Sequence, residues 1–485
     1  MQRHDEVIAE CNRDIGLNPG DARAFARRGR TYRSLKRYEE ALADFSRAVE
    51  LDPGGARALG GRGETYRLLK RYEEALADFS RAIEFDPGYA WAIGGRGQVY
   101  RALQRYEEAL AVFDQAVELD PGSAWVIGGR GETYRLLKRY EEALADFSRA
   151  IELNPGYAWA IGSRGQAYRA LQRYDEALAD LSRAVELNPG YAWVIVSRGQ
   201  VYQALQRYEE ALANFNRAVE LNPGYVRAVV MRGQVYQALQ RYDEALADFS
   251  QAIELDPSDA VAIVSRGQAY QALQRYEEAL AALNRGIELN PSDAVAIGSR
   301  GETYQALQRY DEALADFSRA IELDPGFAWA IARRGRIYLF LQRYEEALAD
   351  FSRAVELDPG NAEAELVCRG ETYRHMKRYE EALADFSQAV ELNPGHSPAF
   401  ANRGEVYRLT QRYDQALADF NRAVELDPGL AWAIARRGRT HWQMKRYGEA
   451  LADLKRLPKL VWSEAGRRSV NGHKSTIKTT PSPPD

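Results

Sequence analysis

Aromatic and cationic side chains that are suited to noncovalent recognition recur along this chain at one regular spacing. The tryptophans, separated by multiples of 34 residues, are Trp91, Trp125, Trp159, Trp193 and Trp329. The arginines, 34 residues apart, are Arg33, Arg67, Arg101, Arg135 and Arg169. The glutamines that continue the pattern are Gln200, Gln203, Gln234 and Gln237. Trp and Arg predominate at interaction hot spots, and glutamine can donate to and accept from a peptide backbone. We therefore interpret these side chains as a candidate partner-binding surface.

Side chains that commonly catalyse reactions or bind metal ions are few and widely separated. The histidines are His4, His375, His396, His441 and His473. Cys11 and Cys368 lie far apart, and we interpret the seven-residue spacing of Cys368 and His375 as coincidence rather than a metal pair. Gly60 and Gly61 lie within a helical pattern and do not follow a strand, as a phosphate-binding loop requires. We expect no catalytic site, no metal site and no cofactor.

Composition restricts the cellular setting and the class of partner. The chain has 485 residues and a formal net charge of -5, whereas dedicated nucleic-acid binders usually show a strongly basic balance. Two distant cysteines favour a reducing compartment. The N-terminus leads into no long apolar run, and no uninterrupted apolar stretch is long enough to span a bilayer. We predict a cytoplasmic protein without a signal peptide or membrane span, for which nucleic acid is not the expected partner.

A proline recurs along most of the chain with the same 34-residue period. These prolines are Pro19, Pro53, Pro87, Pro121, Pro155, Pro189, Pro223, Pro257, Pro291, Pro325, Pro359, Pro394 and Pro428. Length alone would suggest about three ordinary domains. A fixed period of this size indicates instead one continuous array of stacked supersecondary units. With Ala22 as position 1, the thirteen repeats begin at residues 22, 56, 90, 124, 158, 192, 226, 260, 294, 328, 363, 397 and 431.

Each repeat contains two segments whose packing residues have helical spacing. In positions 1 to 14, Phe25, Gly29 and Tyr32 recur at intervals of four and three, which places them on one face of a helix. Positions 18 to 30 repeat this spacing around Phe45, and the Pro and Gly that follow end the second helix. Each unit is therefore predicted to be a helical hairpin. Glycine at position 8 is present in every repeat although it costs a helix roughly 1 kcal/mol relative to alanine, which predicts a contact too tight for a methyl group.

With a large residue at position 4, Gly at 8, Tyr at 11, Ala at 20 and 27, an aromatic at 24 and Pro at 32, the unit resembles a tetratricopeptide repeat. The resemblance covers roughly residues 22–457. It implies an all-α fold, a right-handed superhelical α-solenoid of stacked antiparallel helix pairs with a concave groove lined by the first helices. It also implies binding of proteins or peptides without intrinsic catalysis. The family's carboxylate clamp of groove lysines and asparagines is not reproduced here.

The groove surface that the resemblance implies is where the repeats differ from one another. Positions 2, 5, 9 and 12 lie within about 80° of arc, turned away from the core face of the first helix. Position 2 holds the tryptophans and position 12 the arginines, while the small residues at position 5 leave room beside the indoles. This pattern favours capture of partner segments with acidic and apolar side chains in the N-terminal half. In the alternative interpretation, each Trp packs on the preceding turn and only seals the joint between repeats.

Arginine occupies position 7 of every repeat, beside the core face of the first helix. Position 23 of the second helix is Asp in ten repeats, whereas Val112, Asn214 and Ala282 take its place in the other three. A partly buried guanidinium group needs a partner. We therefore predict a structural Arg–Asp pair, either within a repeat or between neighbouring repeats.

The ends of the array are less regular than its middle. We predict a degenerate half repeat over 1–21, twelve repeats over 22–430, an incomplete thirteenth over 431–457, a possible cap over 458–469 and a disordered tail over 470–485. Pro458 is expected to stop the last helix early. The extra residue in 361–368 should produce a local bulge or a shifted helix cap. The oligomeric state does not follow from these features.

The function that these features favour is a non-catalytic protein-interaction scaffold. The run 60–84 recurs unchanged at 128–152, which indicates recent duplication and a binding surface that is built from repeated modules. Two other functions remain open at this point. One is a single-stranded RNA-binding solenoid that uses the Arg and Trp rows, and the other is a regulatory subunit of an enzyme on another chain.

Overall fold

The computed structural model describes residues 2–468 of the chain, and all regular secondary structure in that part is helical. The chain divides into two compact units, Met1–Asp256 and Pro257–Asp485. In the first unit the helices are α1 (Gln2–Leu17), α2 (Ala22–Ser34), α3 (Tyr38–Leu51), α4 (Ala56–Leu68), α5 (Tyr72–Phe85), α6 (Ala90–Ala102), α7 (Tyr106–Leu119), α8 (Ala124–Leu136), α9 (Tyr140–Leu153), α10 (Ala158–Ala170), α11 (Tyr174–Leu187), α12 (Ala192–Ala204), α13 (Tyr208–Leu221), α14 (Val226–Ala238) and α15 (Tyr242–Leu255).

The described part of the second unit continues the same alternation. Its helices are α16 (Ala260–Ala272), α17 (Tyr276–Leu289), α18 (Ala294–Ala306), α19 (Tyr310–Leu323), α20 (Ala328–Phe340), α21 (Tyr344–Leu357), α22 (Glu363–His375), α23 (Tyr379–Leu392), α24 (Ser397–Leu409), α25 (Tyr413–Leu426), α26 (Ala431–Gln443) and α27 (Tyr447–Arg468). A first helix therefore covers positions 1 to 13 of a repeat and a second helix positions 17 to 30.

Within each unit, a first helix packs against the second helix of its own repeat and against the second helix of the repeat that precedes it in that unit. Within each unit, most first helices of successive repeats also contact each other directly, as α2 does with α4 and α4 with α6. Because the first helices are the closer neighbours, they form the inner layer of each unit and the second helices the outer layer. The expected all-α solenoid of stacked helix pairs is confirmed.

The glycines at position 8 lie where the two helices of a repeat approach most closely. A methyl group added at Gly199 would lie 2.7 Å from the ring of Phe215, and one added at Gly165 would lie 2.8 Å from Leu181. These distances are shorter than any ordinary van der Waals contact, so the predicted close approach is confirmed. Phe215 and most of its counterparts at position 24 are fully buried, and they form the centre of the core.

The turn between the two helices has a left-handed residue at position 15 in every repeat. These residues have φ between 58° and 61°: Lys36, Lys70, Gln104, Lys138, Gln172, Gln206, Gln240, Gln274, Gln308, Gln342, Lys377, Gln411 and Lys445. In the first repeat the Lys36 amide donates to the carbonyl of Arg33 and the Arg37 amide to that of Tyr32. This is the Schellman pattern of helix ends, in which glycine usually occupies the left-handed site. Lys and Gln adopt that conformation here at an energetic cost.

Replacing Gln240 with glycine is expected to stabilise repeat seven by about 0.5–1 kcal/mol, because glycine adopts a left-handed backbone without steric cost. Hydrogen exchange of the amides in α14 and α15 measures the change locally. The matched control is Ala238→Gly in the last turn of α14, an exposed right-handed position where glycine should lower protection by up to about 1 kcal/mol. Equal loss of protection in both variants would contradict the expected effect.

The extra residue of repeat eleven is accommodated in the turn before α22. That helix has the usual 13 residues, and Ala362 caps it with ψ of 13°, whereas Phe327 and His396 cap α20 and α24 with ψ of 72° and 90°. The predicted shifted cap is therefore present, and the helix itself is not bulged. A turn absorbs an insertion more readily than a helix does, because the helix would lose the register of its packing face.

The expectation that Pro458 ends the last helix early is wrong. Helix α27 starts at Tyr447 and continues through Pro458 to Arg468, which makes it 22 residues long. Proline lacks one backbone donor, but its φ of about −65° is compatible with a helix, so a single proline does not require termination. The segment 470–485, for which we predict disorder, lies outside the described residues.

Candidate partner-binding site

Two hollows lie on the inner layer of the first unit and bring together several of the predicted site residues. The first hollow has a volume of about 270 Å³ and is lined by Arg30, Arg33, Arg57, Gly61, Tyr89 and Trp91. The second hollow has a volume of about 300 Å³ and is lined by Glu64, Arg67, Gln98, Arg101, Trp125, Tyr157 and Trp159. Their walls come from positions 2, 9 and 12 of adjacent first helices, from position 6 in the first hollow, and from position 34 of the preceding turn. These positions therefore share one surface.

The tryptophans at position 2 also form the joints between repeats. Each indole packs over a glycine at position 5 of the preceding repeat. A methyl group added at that glycine would lie 3.1 Å from the indole for Gly60 and Trp91, 2.7 Å for Gly94 and Trp125, 3.2 Å for Gly128 and Trp159, 2.8 Å for Gly162 and Trp193, and 2.9 Å for Gly298 and Trp329. The five indoles are half-buried by this packing. The joint therefore covers part of each indole, and Trp91, Trp125 and Trp159 also line the two hollows.

The residue at position 5 of one repeat and the residue at position 2 of the next are matched in size. This relation is visible in the sequence but was not among our predictions. Every repeat with glycine at position 5 is followed by a repeat with tryptophan at position 2. Where position 5 is the larger valine, position 2 of the next repeat is not tryptophan, as with Val264 and Val295. The ring of the preceding tyrosine adds a further contact, with ring centroids 5.6 Å apart for Tyr157 and Trp159. Contact with the preceding turn is the arrangement in our alternative interpretation.

Most of the predicted arginines at position 12 already have partners. Arg67 donates two hydrogen bonds of 2.7 Å to Glu64, and Arg135 binds Glu132 in the same way at 2.7 and 2.8 Å. Arg101 donates to the Gln98 side chain. All three pairs join positions 9 and 12 on one helix turn, and the two that contain glutamate neutralise part of the positive charge of the surface.

Arg33 and Arg169 differ from the other three because, among the described residues, no position-9 side chain of their own helix accepts a hydrogen bond from them, and no carboxylate pairs with them. Arg33 donates one hydrogen bond of 3.2 Å to the carbonyl of Gly61, and Nε of Arg169 is buried without a partner. Burial lowers the pKa of both guanidinium groups, and the charges of neighbouring arginines lower it further. Both groups therefore keep unused capacity to bind an anion.

Some of the groove glutamines make hydrogen bonds through their side-chain amides, and others make none within the described part of the chain. Gln166 Nε2 donates to Ser197 Oγ at 2.8 Å, and Gln200 Nε2 lies 3.3 Å from Met231 Sδ, so both reach position 6 of the next repeat. Among the residues that the structure describes, Gln203, Gln234 and Gln237 make no hydrogen bond through their side chains. Their amide groups are available to an extended backbone.

Charge on the inner layer of the first unit is strongly basic although the whole chain is mildly acidic. Positions 2, 9 and 12 of its seven repeats hold nine arginines: Arg23, Arg30, Arg33, Arg57, Arg67, Arg101, Arg135, Arg169 and Arg227. The same positions hold only two carboxylates, Glu64 and Glu132. In the second unit, where Trp329 lies, Arg333 pairs with Glu302 at 2.8 Å and Arg408 with Glu405 at 2.7 Å. An acidic partner segment is therefore complementary to the first unit.

The arginines at position 7 form structural ties, and the ten predicted pairs all lie within single repeats. They are Arg28–Asp44, Arg62–Asp78, Arg130–Asp146, Arg164–Asp180, Arg232–Asp248, Arg300–Asp316, Arg334–Asp350, Arg369–Asp385, Arg403–Asp419 and Arg437–Asp453. The pair of Arg232 with Asp248 is bidentate, with N–O distances of 2.8 and 2.6 Å. This hydrogen bonding raises the pKa of Arg232, so the guanidinium group stays charged.

A third contact, which we did not predict from the sequence, connects nine of the ten tied arginines, and also Arg198, to the preceding repeat; among the described residues Arg62 makes no such contact. Nη1 of these arginines donates to position 25 of the preceding second helix, where the acceptors are Asn12, Asp114, Ser148, Ser182, Asn216, Asn284, Ser318, Ser352, Ser387 and Asn421. One arginine therefore connects three helices. Arg96 and Arg266, which face Val112 and Ala282, have buried Nε atoms without a partner. Arg198, which faces Asn214, has a pKa lowered by burial.

Within the described residues, no group of three or more His, Cys, Asp or Glu side chains is placed to hold a metal ion. Of the helices described, none combines the length and the apolar character that crossing a bilayer requires. Burial raises the pKa of the Cys368 thiol to about 12, so this thiol is not poised as a nucleophile.

Comparison with known proteins yields family matches along most of the chain. Models described as tetratricopeptide repeat match residues 15–90, 88–155, 122–190, 157–223, 196–260, 236–297, 294–327, 328–361 and 362–428. No curated protein matches the chain. Among solved structures, the crystal structure of the APC/C hetero-tetramer Cut9–Hcn1 is similar, with a TM-score of 0.47 and 13% identity over 85% of this chain and 95% of that chain.

Proposed function

The chain belongs to the tetratricopeptide repeat family, and from this premise we propose that it is a non-catalytic scaffold that binds extended or helical segments of partner proteins. The groove is the inner layer of first helices. The observation that carries the proposal is the basic, Trp-walled surface of the first unit, where Arg33 and Arg169 have no carboxylate partner. Such groups are costly to keep unsatisfied unless a ligand uses them.

The proposed contacts use the predicted site residues in three ways. The exposed edges of Trp91, Trp125, Trp159 and Trp193 offer apolar contact, and Trp329 does so in the second unit. The arginines at position 12 attract acidic side chains, most strongly where no glutamate neutralises them. Gln203, Gln234 and Gln237 bind peptide backbone, while Gln200 is partly occupied by Met231.

We expect the double variant Arg33→Gln, Arg169→Gln to bind an acidic peptide pool about 10-fold more weakly than the unmodified protein, because two guanidinium groups that lack a carboxylate partner are lost. The probe is a fluorescein-labelled pool of degenerate peptides rich in Glu and Leu, and fluorescence anisotropy measures the affinity. Gln stands at position 12 in repeats six to nine, so the fold tolerates this residue there.

The matched control removes two arginines from the outer layer. Arg217 and Arg81 are exposed on second helices, and replacing both with Gln changes the net charge by the same amount. Equal weakening in the control variant would show that long-range charge, not the groove, determines the affinity. Absence of binding by any acidic or basic peptide pool would overturn the proposed function.

A single-stranded RNA ligand is the second candidate, favoured by the nine arginines beside the tryptophan edges. A uridine oligonucleotide that bound more tightly than the peptide pool, with an affinity that fell steeply with salt, would replace the protein-binding proposal.

A further inference from the structure

The first hollow differs from the second hollow in the state of its arginines. Its three guanidinium groups belong to Arg30, Arg33 and Arg57, and among the described residues none of them lies within salt-bridge distance of a carboxylate. In the second hollow, Arg67 is held by two hydrogen bonds to Glu64, and Arg101 donates to Gln98. The two hollows therefore differ in charge. Among its described lining residues the first holds three arginines and no carboxylate, whereas the second contains a carboxylate, Glu64, that pairs with one of its two arginines.

The three groups converge on one place. Positions 9 and 12 of the first repeat contribute Arg30 and Arg33, and position 2 of the second repeat contributes Arg57. Tyr89 lines the same hollow as these three arginines; burial raises the pKa of its hydroxyl, and the charges of the three arginines oppose that rise. Glu64, whose negative charge opposes the lowering of the Arg33 pKa, is already held by two hydrogen bonds from Arg67. The positive charges therefore face the cavity together.

The walls hold the central guanidinium group in a fixed position. The carbon of the Arg33 guanidinium lies 5.7 Å from the ring centre of Trp91 and 5.8 Å from that of Phe45, and Nη1 is tied to the Gly61 carbonyl. Aromatic faces attract and orient a guanidinium group. Among the described residues Arg33 donates no other side-chain hydrogen bond, so its remaining N–H donors are available to an incoming anion.

The number of charges indicates which anion fits. A side-chain carboxylate carries one negative charge and two acceptor oxygens, whereas a phosphoryl monoester carries nearly two charges and three acceptor oxygens at neutral pH. Three guanidinium groups match the second set better, with one oxygen available to each. The volume of about 270 Å³ is at the low end for ligand sites, so it suits one side chain and not an extended cofactor.

We propose that the first hollow binds the phosphoryl group of a phosphorylated residue on a partner protein. This inference rests on the proposed function, since it assigns the chemistry of one part of the partner segment. The rest of the groove then holds the residues that flank the phosphorylated one. Phosphorylation of the partner thereby controls its capture by this scaffold.

The test uses the full chain and three labelled pools of nine-residue degenerate peptides, whose fixed central residue is phosphoserine, serine or glutamate. We expect the phosphoserine pool to bind at least about 10-fold more tightly than either of the others by fluorescence anisotropy. The double variant Arg33→Gln, Arg57→Val should lose that preference. Gln at position 12 and Val at position 2 both occur in other repeats of this chain, so the variant is expected to fold.

The control variant is Arg135→Gln, which removes one groove charge that Glu132 already neutralises, and it should keep the preference for phosphoserine. Equal affinity for the phosphoserine and glutamate pools would assign the hollow to carboxylates and overturn the phosphoryl proposal. Equal affinity for all three pools would leave groove binding intact and overturn only this inference, whereas no binding of any pool would remove the proposed function as well. Binding of free O-phosphoserine as tight as that of the peptide would identify a small phosphomonoester as the ligand and overturn the protein-borne source.

Discussion

Replacing Asp248 with alanine is expected to destabilise repeat seven by about 3 kcal/mol, the largest effect of any single substitution that we predict. The Asp248 side chain is 7% exposed and Arg232 is 18% exposed, so the pair is largely shielded from water. Removing one partner of such a pair leaves a buried charge without its counterion, which costs about 3–5 kcal/mol. The remaining contact of Arg232 with Asn216, at 2.9 Å, places the expected loss at the lower end of that range.

Hydrogen exchange locates this loss, because stability in a stacked array is approximately a sum of local terms. Amides in α14 and α15 should lose protection, while those in α4 and α5 serve as the internal reference. Combining Asp248→Ala with Arg232→Leu should restore part of the loss, since no unpaired charge remains. Additive effects of the two substitutions would contradict coupling between these residues.

The converse substitution is available within the same chain. Ala282 stands at position 23 of repeat eight, and Nε of Arg266 is buried there without a partner. Ala282→Asp should therefore raise protection in α16 and α17, in the direction opposite to Asp248→Ala. Lower amide protection in the Ala282→Asp variant would show that an aspartate at position 23 does not stabilise a repeat by pairing with the arginine at position 7.

Replacing Trp159 with alanine is expected to lower the local free energy of unfolding at the joint between repeats four and five by about 2 kcal/mol. Truncating a fully buried aromatic side chain to alanine lowers stability by about 3–5 kcal/mol, and truncating this half-buried indole should lower it by less. Its ring packs over Gly128, beside Tyr157 and at 6.1 Å from the ring of Phe147. Hydrogen exchange in α8 and α10 measures the loss, and affinity for the peptide pools measures the second role of the same side chain.

A pair of substitutions that exchanges the sizes of residues 128 and 159 separates the packing of Trp159 in the joint from other effects of its replacement. Gly128→Val alone should destabilise by about 1–3 kcal/mol, because an added methyl at this glycine already lies only 3.2 Å from the indole. Adding Trp159→Val should recover part of that loss, since it reproduces the valine pattern of Val264 and Val295. A double variant no more stable than the sum of the singles predicts would show that the indole does not seal this joint.

Periodic packing residues were sufficient to predict the helices, the tight glycines and the arginine ties. Gly199 faces Phe215 and Arg232 faces Asp248 because both contacts lie within one repeat, where the 34-residue pattern fixes their relative height along two paired helices. The local geometry of a helical hairpin follows from sequence spacing alone. These features could therefore be inferred before the structure was known.

Contacts that cross from one repeat to the next were harder to infer. The indole of Trp125 over Gly94 and the bond from Arg232 to Asn216 depend on the distance and rotation between successive hairpins, which periodicity does not specify.

The pairing of Arg67 with Glu64, which lies within one helix, was also missed. The choice of side-chain rotamer decides whether two groove residues bind each other or a partner. The predicted groove therefore contains fewer free arginines than its sequence suggests.

The three-helix ties also constrain how an array of this kind can grow. Position 25 carries a side-chain oxygen in the half repeat and in the first twelve repeats, so a hairpin inserted anywhere among them finds an acceptor for its own arginine and supplies one to its successor. In the thirteenth repeat that position is Lys455. A further hairpin added after it would set an arginine against a lysine. A duplicated hairpin therefore keeps a position-25 oxygen before it anywhere in the interior, whereas one placed directly after Lys455 would meet a like charge instead.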